Sequence, residues 1–133
     1  MANTIIHTVK VQLLQRSTNQ VQTTVTSIEK DFTVSEKAFI STRIKQADNL
    51  KTFSFSPVEL PTYILVVAKY LVDNVVIGAV AGDLAPITIR LNGSLEDIDA
   101  SKGFVLIGGE ATGLQVSTTI VDDIEVSLYM AGI

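Results

Sequence analysis

PITIRLNGSLEDIDASKGFVLIGGEATGLQVSTTIVDDIEVSLYMAG, residues Pro86–Gly132, holds three strand-like runs with turn signals between them. In Ile87–Leu91 and again in Ile124–Met130, apolar and polar residues alternate with period two, as a strand with one buried face requires. Between them Phe104–Ile107 is continuously apolar, which suits a strand covered on both faces, although periodicity alone does not separate it from a buried helix segment. Asn92-Gly93, Gly108-Gly109 and Gly113 tolerate positive φ and let the chain reverse between runs. The stretch reads as the meander of an all-β domain.

The rest of the chain reads as strands that pair with it. Val9–Leu13 alternates, and Val21, Thr23, Val25 and Ser27 share one side of a second run after the polar loop Arg16–Gln20, which is a hairpin pattern. Residues 35–49 fit two elements. Ser35 could cap a short helix with Phe39, Ile40, Arg43 and Ile44 at helical spacing, or Ala38, Ile40, Thr42 and Ile44 could share one side of a strand. Strand is the expectation, because Ile, Ser and Thr are mediocre helix formers. Phe53 and Phe55 alternate with Thr52, Ser54 and Ser56 in a further strand ended by Pro57 and Pro61, with Val58–Leu60 as a connection. Tyr63–Ala68 is the most apolar run and is expected at the centre of a sheet. Val75–Ile77 is expected as another strand after an Asp73-Asn74 turn, and Gly78–Pro86 as a connection.

All eight glycines lie from Gly78 onward, but nothing resembles a flexible linker. The fold class expected is all-β: a single antiparallel β-sandwich domain over residues 1–133, of about 8–10 short strands. The strand order is open between a plain two-sheet sandwich and a jelly roll.

Composition bounds the function. With 133 residues the chain can bury roughly two thirds of its unfolded surface without a metal or disulfide. It has no cysteine, which excludes disulfides, thiolate metal sites and thiol catalysis. Met1–His7 lacks a basic segment leading into an apolar core, and no uncharged apolar run approaches the ~18 residues of a membrane span, so a soluble chain without membrane contact is expected. Mean hydropathy is +0.38 with 18% charged residues, unusually apolar for so small a fold. That excess predicts an oligomer or permanent interface, with solvent-facing Thr and Ser strands as the competing account. Residues 1–66 carry seven Lys/Arg against five Asp/Glu and residues 67–133 three against nine, so the halves are net +2 and −6. Lys37, Arg43, Lys45 and Lys51 are diluted by Glu36 and Asp48, which argues against nucleic acid as a partner.

No residue stands out as catalytic, cofactor-binding or metal-ligating. His7, the only histidine, has no orienting partner in the sequence and is expected to be structural. Glu96, Asp97 and Asp99 form an oxygen-rich loop that could hold an ion, but the spacing matches no calcium loop, and a solvated acidic loop is expected. Asp122 and Asp123 read as the turn before the last strand. A carboxylate pair could serve a glycosidase, but no tryptophan is present as a sugar platform. Gly108–Gly113 lacks the Lys-Ser/Thr ending of a phosphate loop and reads as a hairpin. The usual nucleophile and base constellations are missing, so an enzyme is not expected.

The strand YILVVAKY, the run PITIRLNGS, the strand GFVLIGG and the ending IEVSLYMAG together resemble small β-sandwich virion structural proteins of tailed bacteriophages, over Thr62–Ile133. The resemblance implies a capsid cement or decoration protein. Such proteins sit on the shell, often as trimers, and stabilise contacts between major capsid subunits. It carries over no functional residue, since these families work through surfaces. A head–tail, neck or baseplate adaptor of the same virion is one alternative. A carbohydrate- or receptor-binding sandwich is another; it would need exposed aromatics, for which Tyr63, Tyr70 and Tyr129 are available, with Tyr63 expected in the core.

Overall fold

A computed structural model describes residues 3–15, 20–34, 36–56 and 58–132, and among residues 1–36 the side chains of Ile6 and Thr8 only. The chain falls into two compact units, residues 1–35 and 36–133. In the first, β1 (Asn3–Gln15) and β2 (Gln20–Val34) pair antiparallel as a two-stranded sheet of their own. The register sets Ile5 opposite Phe32, Val9 opposite Ile28 and Val11 opposite Thr26, with irregularities after Val11 and Leu13. The hairpin expected there is present. The loop Arg16–Asn19 and the side chain of His7 lie outside the described residues.

The sandwich expected over 1–133 occupies the second unit alone. Its strands are β3 (Glu36–Ile44), β4 (Lys51–Phe53), β5 (Pro61–Tyr70), β6 (Ile87–Leu91), β7 (Ile98–Ala100), β8 (Phe104–Gly108), β9 (Leu114–Ser117) and β10 (Ile124–Gly132). They form two antiparallel four-stranded sheets, ordered β3-β10-β5-β8 and β4-β9-β6-β7. The pairings are nested: β3 with β10, β4 with β9, β5 with β8 and β6 with β7, successive pairs alternating between sheets.

Residues 36–44 form a strand, as their β-branched content favours. Ala38, Ile40 and Thr42 are half-buried and Ile44 buried on one side, while Lys37, Phe39, Ser41 and Arg43 are exposed on the other. Both β5 and β10 are inner strands and alternate over Ile64–Tyr70 and Ile124–Met130, with Ile64, Val66, Ala68, Val126, Leu128 and Met130 buried. The second sheet answers with Phe53, Ile87, Ile89, Ala100, Leu114 and Val116, closing one continuous core between the sheets. Pro61 opens β5, the strand position where its missing N–H costs no ladder bond.

Several expectations are corrected. Pro86–Gly132 is not a meander: β7 and β9 lie between the three runs, and β6 belongs to the other sheet from β8 and β10. Phe104–Ile107 is not covered on both faces, because β8 is an edge strand whose Phe104 and Leu106 point away from the core. Gly108–Gly113 is a crossing from one sheet to the other rather than a hairpin, since β8 pairs with β5 and β9 with β4 and β6. Phe55 lies beyond β4, half-buried against the core. Val75–Ile77 is a turn, closed by a single bridge between Asn74 and Ala79 with Gly78 at φ +72°. Four residues in that closed turn leave no length for a ladder. Among the described residues no helix is long and apolar enough to cross a membrane.

Candidate interaction surface

The two sheets have inner faces of the same kind and outer faces of opposite kinds. On β4-β9-β6-β7 the outward residues are Thr52, Gln115, Ser117, Thr88, Arg90 and Asp99, a polar face. Gln115 Nε2 donates to Thr52 Oγ1 at 3.3 Å, a cross-strand bond of the kind that keeps a solvated sheet face in place.

On β3-β10-β5-β8 the register aligns Phe39, Tyr129, Leu65 and Leu106 in one row across all four strands. The next row is Ser41, Ser127, Val67 and Phe104. Phe39 is 58% exposed, Tyr129 48% and Phe104 54%, while Leu65 and Val67 are half-buried between them. The Phe39 and Tyr129 rings pack at 4.6 Å between centroids. Charge is confined to the ends of the face: Lys37 at one, and Arg43, Glu125 and Lys69 in register at the other.

A second apolar feature follows β5. Tyr70 N–H donates to Asp83 O (2.9 Å), Gly82 N–H to Tyr70 O (2.8 Å) and Ala85 N–H to Ala68 O (2.9 Å), so residues 82–85 run back along the end of β5. Asn74 and Ala79 exchange both backbone bonds, at 2.7 and 3.0 Å. Asp73 Oδ1 accepts from Ala81 N–H (2.9 Å) and Asp83 Oδ2 from Val80 N–H (3.0 Å). This framework holds Val75, Val76 and Ile77 at the tip, 90%, 91% and 56% exposed. Tyr70 is buried at the base of the loop, and that burial, with the charge of Asp83 behind it, raises its phenol above the ordinary value of 10.0.

The acidic loop is occupied internally. Arg90 Nε donates to Asp97 Oδ1 at 2.6 Å, and Ser94 Oγ accepts from Glu96 N–H at 3.1 Å. Among the described residues no group of three His, Cys, Asp or Glu is placed to hold a metal ion. Asp122 and Asp123 are exposed at the turn before β10, as expected. Tyr63, expected in the core, is half-buried on the outward side of β5, and its partial burial raises the phenol above 10.0. Tyr70, in contrast, is buried. Two recesses, of about 190 Å³ beside Thr118 and about 560 Å³ beside Phe55, are each lined by a single titratable residue, Asp99 and Glu59 respectively.

The apolar outer row had a sequence signal. Tyr63–Ala68 is apolar on both alternating sets, and only Ile64, Val66 and Ala68 go to the core; Leu65 and Val67 then need cover from elsewhere. No family model, curated protein or solved structure matches the chain.

Proposed function

We propose that this chain is a structural protein of a bacteriophage virion, a capsid cement or decoration protein that bridges shell subunits as an oligomer. The observation that carries the reading is the contrast between outer faces: a polar one on β4-β9-β6-β7 and an aromatic and aliphatic one on β3-β10-β5-β8. An apolar sheet face of this extent marks a binding surface, and binding that occurs only in the assembled shell stabilises it by mass action. The sequence resemblance supplies the virion context. The nested pairing of β3–β10, β4–β9, β5–β8 and β6–β7 is the order expected of a jelly roll, an architecture used by viral capsid and lectin domains, and the analogy is one of fold alone. Among the described residues no third strand pairs with the ribbon β1–β2, which offers a further surface for strand addition.

Quantitative mass spectrometry of purified particles tests the reading. A copy number near that of the major shell protein supports decoration. A few copies per particle moves the chain to the neck or baseplate, and absence from particles discards the virion role. The exposed pair Phe39 and Tyr129 favours a second reading, a carbohydrate-binding face, because sugars stack on exposed rings. Binding on a glycan array that is lost in Tyr129→Ala would establish it.

A further inference from the structure

We propose that the tip Val75–Ile77 of one copy docks on the outer face of sheet β3-β10-β5-β8 of a neighbouring copy, a head-to-tail contact between two different surfaces of the same chain. The inference rests on the self-association in the reading above and is independent of where the protein resides.

The tip is built to present apolar side chains. Its backbone is tied at Asn74–Ala79 and braced by the Asp73 and Asp83 carboxylates, so little conformational freedom remains to be lost on binding. A loop selected only for solvent would not place three branched aliphatics at its outermost point.

Charge points to the occupant. Asp73 and Asp83, both exposed, flank the tip. The sheet face carries Lys37, Arg43 and Lys69 at its ends, with Glu125 between the last two, a net rim charge of +2 against −2 beside the tip. Stacking two copies face to face sets the basic rims against each other, and joining tip to tip sets aspartates against aspartates. Only tip on face brings opposite signs together, and complementary potentials fix which surfaces meet.

From their exposed fractions, the three tip residues and the four face residues Phe39, Tyr129, Phe104 and Leu106 each leave roughly 350–400 Å² uncovered. One tip-on-face contact therefore covers on the order of 750 Å² counted over both copies, a small interface, and a copy that uses both its tip and its face is held by two such contacts. Because tip and face are distinct, the contact is heterologous, giving a ring where the rotation between copies closes and an open filament where it does not.

The test uses the full chain, free of particles, in sedimentation equilibrium with Val76→Lys and Phe39→Asp. Both positions are exposed, so each variant should keep a cooperative thermal transition, which confirms folding. The wild type is expected to associate and each variant alone to sediment as a monomer. An equimolar mixture of the two should recover association, since the Phe39→Asp copy keeps an intact tip and the Val76→Lys copy an intact face. A monomeric wild type, a Val76→Lys chain that keeps the wild-type mass, or a mixture that stays monomeric would each overturn the contact. Absence of the protein from virions would end the virion reading and leave this result unaffected.

Discussion

The rings of Phe39 and Tyr129 lie 4.6 Å apart and tilted by 39°, on adjacent strands, facing away from the core that those same strands help to build. One residue earlier in β10, Leu128 is fully buried between Ile40 and Val66. Stability and association should therefore separate by strand parity. Leu128→Ala removes buried methyls and leaves a cavity, and should cost about 2–5 kcal/mol in denaturant unfolding. Phe39→Ala loses only a half-exposed ring pair and should cost less than about 1.5 kcal/mol. Urea titration of both variants at a concentration where the chain is monomeric checks the difference, and equal losses would mean that the outer row is part of the fold's own packing.

Gly103 packs closely against the segment that returns from the tip loop. Its φ is +84°, and a Cβ there would lie 2.7 Å from Leu84 Cβ and 3.0 Å from the backbone N and O of Ala85. Its carbonyl accepts from Ala68 N–H at 2.8 Å, next to the bond by which Ala85 N–H reaches Ala68 O. Gly103→Ala combines a strained backbone with a clash against main chain, and should destabilise by about 2 kcal/mol or more. Gly78→Ala, at φ +72° with open space around it, should cost less, on the order of 1 kcal/mol. Thermal melts that rank the two in the opposite order would refute the close approach of residues 84–85 to Gly103.

Among the described residues the buried core cluster runs from Ile44 to Met130, whereas β1 and β2 are a two-stranded sheet. Two strands alone are marginal in water. A fragment spanning residues 36–133 should therefore fold, with a cooperative thermal transition and the near-ultraviolet tyrosine signal of the whole chain. A peptide of residues 1–35 should show little strand structure by circular dichroism. A fragment 36–133 that fails to fold would show that the ribbon contributes to the sandwich.

The sequence carried the strands more fully than their neighbours. Alternation placed β6 and β10 because each buries one side, β3 was told from a helix only by its mediocre helix formers, and the continuous run of β5 announced an inner strand with a second face in need of cover. The same continuity misled at Phe104–Ile107, where an apolar outward set on an edge strand looks like double burial until the partner strands are known. Val75–Ile77 misled for a related reason: β-branched residues favour strands by packing on a pleated surface, and at a loop tip that surface is absent from the chain itself. Both failures fall on the apolar surfaces proposed to meet a partner. Strand order was not legible, because nested pairs such as β3 with β10 join residues some 90 positions apart and no local signal reports them.

Tyr70 gives the protein an alkaline limit. It is buried beside Asp83, and both burial and that charge hold its phenol above 10.0, so the folded chain retains the proton more tightly than the unfolded chain does. Below pH 10 both states are protonated and the full stability is present. Above it the unfolded state gains by ionising while the folded state does not, so stability falls with rising pH until the folded phenol also ionises. Tyr63, raised by its own partial burial, acts in the same direction. Urea midpoints measured from pH 8 to 11 should be level at first and then decline. The decline should be shallower in Tyr70→Phe, which has no phenol to ionise, and an unchanged slope in that variant would place the alkaline sensitivity elsewhere.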